Sequence, residues 1–294
     1  MTNVSDIDID DVAEFHRWLA EVADETRERF GPEDRLGTAN YIDPAAVLRA
    51  ANCVELGESI SLARPLVEGP GFQIETSSDQ SGTVLLDRVD VSCHGHAKTH
   101  MDALNHLATG GVFYGGRSQG DAALPTIEDL AGHCLFTRAL FADITAVRGT
   151  PWVPADEPVT GADIDAALEG VEVMRGDALI LYMGRDRWEA SGMVSDGPTP
   201  GAGRSAARWL VANQTSVLAW DFLDAHPHPE DAADAKGTVH RLLPAAGLIL
   251  IDNADLGAAA AVMRRTGRRT AALAALPLAV PGGTGSLVTP WLIL

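Results

Sequence analysis

A chain of 294 residues can bury a substantial core in one large or two modest domains. Acidic residues outnumber basic ones, 41 to 22, and the formal net charge of −19 would repel a phosphate backbone, which excludes nucleic acid as a partner. No apolar run approaches the ~18 residues of a membrane span. The acidic, polar start is unlike a secretory leader, so a cytoplasmic protein without a membrane role is expected. Cys53, Cys93 and Cys134 are odd in number and widely separated, and read as reduced thiols.

In chain order, the acidic tract Asp6–Asp11 is followed by Val12, Phe15, Trp18, Leu19 and Val22 at helical spacing. Residues 1–30 therefore form an N-terminal helical arm that covers the body or a neighbouring subunit, with His16 solvated. A turn at Gly31–Asp34 separates it from residues 31–294. These read as a single domain, because Pro and Gly turns are spread too evenly to mark a linker. Asp43 caps a helix that has Pro44 at its first position and runs to Ala51. Ser59–Ala63 alternates like a strand, Gly69–Gly71 and Ser77–Gly82 read as loops, and Thr83–Val91 is a strand. Gly110–Gly116 is a glycine-bracketed loop in which Phe113 and Tyr114 either contact a substrate or anchor the loop. Ala139–Ile144, Asp177–Tyr182 and Ser216–Trp220 read as strands, and Thr160–Leu168 and Pro200–Ala212 as helices. This succession predicts an α/β body.

The informative stretch is Ser92–His106. It holds His94, His96, His100 and His106, four of the nine histidines, together with Asp102. Imidazole and carboxylate are the usual ligands of zinc, manganese or iron. In one helix His96 and His100 share a face, but Asp102 points away. In one strand all five share a side, yet His96 and Asp102 then stand about 20 Å apart. The spacing therefore predicts a strand ending near His96 that turns sharply into a helix, with the metal at the bend. His96 and His100 have the spacing of a zincin helix, but Ala97 replaces the glutamate that protease chemistry requires. Cys93 has the opposite parity and reads as a packed core residue.

Later, Gly247 precedes an apolar run ending at Asp252, a carboxylate at the carboxyl end of a buried strand, and His240 lies just upstream. His240 and Asp252 are read either as site residues or as a helix cap and a turn residue. Asp221, Asp224, His226, His228 and Glu230 read as a polar loop, some lining the entrance and most of them solvated.

With these pieces placed, the sequence resembles the metal-dependent cyclase/amidohydrolase family that includes bacterial kynurenine formamidase and isatin hydrolase. The family pattern His-x-Gly-Thr-His-x-Asp-x-Pro-x-His reads here His96-Ala-Lys98-Thr99-His100-Met-Asp102-Ala-Leu-Asn-His106. A long-type variant, Cys-His-Gly-His followed by Thr-His-x-Asp-Ala-Leu-x-His, fits more closely. Ile60–Pro65, Arg175–Asp177, Gly282–Ser286 and Pro290 extend the likeness from about Leu36 to the C-terminus. The resemblance implies a swivelling β/β/α fold with a central barrel-like mixed sheet and peripheral helices. It implies His96, His100 and Asp102 as metal ligands, with His106 as the catalytic acid/base. A second ion would take His240 and Asp252, the latter one methylene shorter than the family's glutamate. A single manganese or zinc ion is the default. Lys98 stands where the family has glycine, so either the turn is made without a positive φ there or the lysine lies at the site. Assembly as a homodimer or larger homo-oligomer is expected.

The expected chemistry is hydrolysis of an amide, formamide, lactam or lactone in a small, optionally aromatic molecule, using metal-activated water. A binding or structural protein that retains a metal without turnover is an alternative from another class, and two catalytic alternatives stand beside it. One is a biosynthetic cyclase or dehydratase on the same fold. The other is a non-haem iron oxygenase, in which His100, Asp102 and His240 form a facial triad.

Overall fold

The structure is a computed structural model that describes residues 12–193, 198–224 and 238–294. The Asp6–Asp11 tract and His226, His228 and Glu230 lie outside the described residues. The strands are β1 (Ser59–Ser61), β2 (Phe72–Ser78), β3 (Leu85–Val91), β4 (His100–Asp102), β5 (Val112–Phe113), β6 (Arg117–Ser118) and β7 (Leu135–Asp143). They continue with β8 (Ala178–Tyr182), β9 (Val217–Trp220), β10 (Ile249–Asp252), β11 (Thr270–Ala275), β12 (Gly285–Leu287) and β13 (Trp291–Ile293). The helices are α1 (Val12–Phe30), α2 (Pro44–Ala51), α3 (Ile127–Ala131), α4 (Ile144–Arg148) and α5 (Gly161–Ala167), then α6 (Arg185–Ala190), α7 (Arg204–Ala212), α8 (Leu242–Ala246) and α9 (Gly257–Thr266).

Nine strands form one curled mixed sheet, in the order β1-β13-β11-β7-β8-β9-β10-β4-β12. Its centre, β7-β8-β9-β10, is parallel, and the remaining pairs are antiparallel. Every residue of β8 and β9 is buried. Their unbroken apolar runs suit strands covered on both faces. The expected α/β class with a barrel-like mixed sheet and peripheral helices is what the structure shows.

Local chemistry sets the helix starts. The Asp43 carboxylate accepts the Ala46 N–H at 2.8 Å, and Pro44 opens α2. Thr160 and Asp163 form a capping box at α5. The α1 stripe of Phe15, Leu19 and Val22 is buried in the main core, and α1 packs along α8. One close approach demands glycine on both sides: a Cβ on Gly37 (φ 56°) would lie 2.2 Å from the Gly247 carbonyl oxygen, and one on Gly247 (φ 66°) 2.6 Å from the Tyr114 ring. Among the described residues, no helix is long and apolar enough to cross a membrane.

Two expectations are corrected. The predicted helix after His96 is a strand, because His100–Asp102 pairs with β10 on one side and β12 on the other. The predicted loop at Ser77–Gly82 begins later, since β2 continues to Ser78 as half of a hairpin with β3. That hairpin stands off the body with every strand residue except Phe72 exposed, and it hands the chain directly to Ser92.

Candidate metal centre

Alternation on β4 sends His100 and Asp102 to one side and Met101 to the other. All three are buried. Asp252, the last residue of β10, lies directly opposite His100 across the antiparallel pair. The donor atoms of His100, Asp102 and Asp252 lie within 4.8 Å of one another. Two ligands of one ion, each ~2.0–2.2 Å from it, stand at most about 4.4 Å apart, so the grouping is close to closed. The His100 Nδ1–H donates to the Lys98 carbonyl at 2.9 Å. This leaves Nε2 aimed at Asp102 Oδ1 (3.6 Å) and Asp252 Oδ2 (3.7 Å), too far for hydrogen bonds. Among the described residues, buried Asp102 Oδ2 finds no hydrogen-bond partner. An orphaned carboxylate oxygen in a ring of imidazoles fits a bound cation.

His240 closes the group from the N-terminal side of α8. Its Nε2 lies 3.0 Å from Asp252 Oδ2 and 3.5 Å from Asp102 Oδ2. Its Nδ1 is held at 2.7 Å by Asp224, which also accepts the Val239 and His240 backbone N–H groups. The Trp220 indole donates to the other Asp252 oxygen at 2.5 Å. Asp224 is thus a buried brace at 8 % exposure, and Asp221 is buried at 2 %, where the sequence reading placed both in a solvated loop.

His94 and His96 face different ways. Gly95, at φ 110°, turns the chain so that His94 faces the cluster and the side chain of His96 is exposed. His94 Nδ1 lies 3.1 Å from Asp102 Oδ1, and Nε2 lies 3.1 Å from Thr284 Oγ1. Gly285 leaves room for this ring, since a Cβ there would sit 2.6 Å from His94 Cε1. Among the described residues His96 falls in neither close group of donors: a two-residue spacing keeps one side only in a regular strand, and the positive φ breaks it. Titrating metal into the variants should separate the two rings. His94→Ala should weaken binding about 10–100-fold, whereas His96→Ala should stay within about threefold.

His106 stacks on His94 at 3.9 Å between ring centroids, with Nε2 3.8 Å from Asp102 Oδ2 and 29 % of its side chain exposed. His94, Asp102 and His106 form a second close group of donors that shares Asp102 with the first. The motif loop is bracketed from behind. Asn253 Nδ2 donates to the Gly95 carbonyl at 2.7 Å and, more weakly, to that of Lys98. Arg185 donates to the His96 carbonyl and to Asn253 Oδ1, both at 2.5 Å. Asp221 holds Arg185 in turn by accepting its backbone N–H together with those of Met183 and Gly184. Thr99 Oγ1 accepts the Arg64 N–H and donates to the Asn253 carbonyl, joining three separate segments of the chain. None of Asn253, Arg185 and Asp221 was singled out as a site residue from sequence. The Asn that follows Asp252 on a tight turn was the available signal.

Lys98 has no positive φ, so Gly95 makes the turn instead. Its ammonium lies toward Gly71 at the hairpin base, and it is the carbonyl that serves His100. The Tyr114 hydroxyl donates to Asp34 at 2.7 Å and its ring abuts Gly247, so it anchors its loop.

Electrostatics fit a site built for positive charge. The hydrogen bond to Asp102, with Cys93 alongside, pushes the His94 pKa up to about 10. Burial opposes a charged His240, but Asp252 and Asp224 outweigh it and hold its pKa well above the usual imidazole value. Burial also opposes a charged Asp102, yet His240 and His94 hold its carboxyl below the usual range. For His106 burial wins over nearby Asp102, and its pKa is lowered.

Residues 31–227 match the Cyclase family, and the chain belongs to it. In three dimensions it is similar to a crystal structure of a novel cyclase, with a TM-score of 0.77 and 25 % identity over 90 % of this chain and 98 % of the other. It also shares its fold with isatin hydrolase A from Labrenzia aggregata bound to benzyl benzoate (TM-score 0.59, 19 % identity, 83 % and 94 % covered). A predicted metal-dependent hydrolase from Bacillus stearothermophilus is a further neighbour (TM-score 0.54, 20 % identity, 80 % and 97 % covered). No protein of curated function matches the chain.

Proposed function

We propose that this protein is a metal-dependent hydrolase that cleaves a C–N or C–O bond of an amide, formamide, lactam or lactone in a small molecule. The observation that carries the reading is the buried Asp102 Oδ2, which accepts no hydrogen bond among the described residues and stands in a ring of imidazoles and carboxylates. His100, Asp102 and Asp252, with His240 beside them, would hold one divalent cation. Mixed imidazole and carboxylate donors suit zinc or manganese. When bound, the cation supplies Lewis acidity toward a water and a carbonyl oxygen. His106 is the acid/base: its half-open ring takes the proton of the attacking water at Nε2 and returns it to the leaving nitrogen or oxygen. Asp224 and Trp220 keep His240 and Asp252 in place. A second ion at the His94–Asp102–His106 group would occupy the ring that the acid/base role needs free, so a single ion is favoured.

The test is a panel of N-formyl aromatic amines, lactams and lactones given to the zinc- or manganese-loaded protein, with products read by mass. Gain of one water supports hydrolysis, and an unchanged or water-depleted mass would establish the cyclase or dehydratase alternative. Oxygen uptake dependent on iron and 2-oxoglutarate would establish the oxygenase, which leaves Asp252 without a task.

A pH dependence follows. His94 and His240 hold protons in the ion-free protein because of their carboxylate neighbours. A cation on the same carboxylates displaces those protons, so binding weakens as pH falls below about 10, the value reached by His94. Calorimetry in buffers of different ionisation enthalpy should show roughly one to two protons released per ion near neutral pH. Zero release would remove these residues from the centre.

We further propose a cytoplasmic homodimer or larger homo-oligomer. The β2–β3 register places Ile74, Leu85 and Val89 on one face of the exposed hairpin. An apolar face of this kind is a contact surface. Light scattering on the purified protein reads the assembly directly.

A further inference from the structure

A cavity of about 390 Å³ opens where α9 ends and β11 begins, and none of the metal donors lines it. Its apolar lining includes Phe141 of β7 and Met263 of α9, buried at 4 % and 3 % exposure. Val147 of α4 and Ala167 of α5 form more open sides. An apolar cavity of about 150 Å³ takes a benzene ring, so there is room here for a ring and a short chain.

The rim is basic in an acidic chain. The run Arg264-Arg265-Thr266-Gly267-Arg268-Arg269 places four of the 22 basic residues within six positions. Arg264 and Arg265 stand in the last turn of α9, where cations offset the negative end of the helix dipole. They are paired with Asp143 and Glu58. Helix electrostatics does not account for Arg268 and Arg269, which follow the left-handed turn at Gly267 (φ 67°). Among the described residues, Arg264, Arg268 and Arg269 line the cavity against one carboxylate, Asp143, which Arg264 already engages. Arg269 donates to the Glu169 carbonyl, a neutral acceptor, and has no ion pair among the described residues. Arg268 uses its terminal nitrogens on Glu55 and the Cys53 carbonyl, both at 3.1 Å. Its buried Nε finds no hydrogen-bond partner among the described residues. Glu55 is itself well exposed, so that ion pair is screened by water and holds Arg268 weakly. Two consecutive guanidinium groups with N–H donors to spare, beside an apolar wall, match a carboxylate that carries a hydrocarbon body.

We propose that this cavity is a second ligand site, selective for a carboxylate on a small apolar body. The hydrocarbon part lies against Phe141 and Met263, and the carboxylate accepts N–H bonds from Arg268 and Arg269.

Calorimetry on the metal-loaded, full-length protein tests this with 3-phenylpropanoate, its neutral isostere 3-phenylpropanamide, and acetate. The acid should bind at least about tenfold more tightly than the amide, as expected of charge-assisted bonds. It should exceed acetate by at least about tenfold too, because acetate leaves the apolar wall uncovered. A smaller preference in either comparison, or no binding of the acid up to about 10 mM, would overturn the proposal. In Arg268→Gln/Arg269→Gln, with metal content unchanged, acid and amide should come within about threefold of each other. A larger acid preference in that variant would also overturn it, since the carboxylate would then sit on the metal centre. Should circular dichroism show the double variant unfolded, Arg269→Gln alone decides, because that side chain is exposed and holds a single carbonyl. A preference reduced by at least about threefold supports the site, and a smaller change overturns it. None of these readouts needs turnover, so the site and the hydrolase reading stand or fall separately.

Discussion

Turnover in His106→Ala should fall by about 10²–10⁴, the usual contribution of a positioned acid/base, with metal content unchanged. The ring is placed for that role and poorly placed for a structural one. It stacks on His94 at 3.9 Å and keeps 29 % of its side chain exposed. Its neighbours His100 and His240 are far more enclosed, at 2 % and 14 % side-chain exposure. A pH–rate profile separates the roles. The acidic limb of the native enzyme should flatten in the variant, because the group that must be unprotonated is gone. Full activity in His106→Ala, or loss of metal along with activity, would remove it from the acid/base role.

Asp102→Asn should have the larger effect on the molecule as a whole. The carboxylate is fully buried, belongs to both groups of donors, and pairs with His94 at 3.1 Å. The amide keeps the shape and removes the charge that offsets two protonated rings. Breaking a buried ion pair on one side costs about 3–5 kcal/mol, so urea unfolding of the ion-free variant should shift to much lower denaturant. Metal titration should show no stoichiometric binding up to concentrations that saturate the native protein. A variant that still bound one ion tightly would move the centre elsewhere.

Much of the fold was legible because its buried strands are short and uniformly apolar. Asp177–Tyr182 and Ser216–Trp220 predict β8 and β9 almost to the residue. Asp43-Pro44 likewise predicts the start of α2, since a capping side chain and a preset φ act locally. The segment from Gly257 to Ala275, holding α9 and β11, gave no clear signal because alanine dominates it and neither period stands out. The motif marked the site but not its internal arrangement. Whether His94 or His96 turns inward depends on the φ of Gly95 and on the space left by Gly285, almost two hundred residues along the chain. Asp221 and Asp224 looked solvated because a polar run has no pattern that reveals its partners, and here those partners are backbone N–H groups of other segments.

The placement of His100 opposite Asp252, and of Gly285 opposite Asp102, makes the donor set a product of strand alignment. Sliding β4 by one residue would present Met101 where His100 and Asp102 now point, leaving a hydrophobic thioether against the acids. Chemistry and edge integrity are therefore inherited together: whatever loosens this margin of the sheet inactivates the protein before the parallel centre is disturbed, and an ion gripped there rivets two strands that are joined otherwise by only a few backbone contacts.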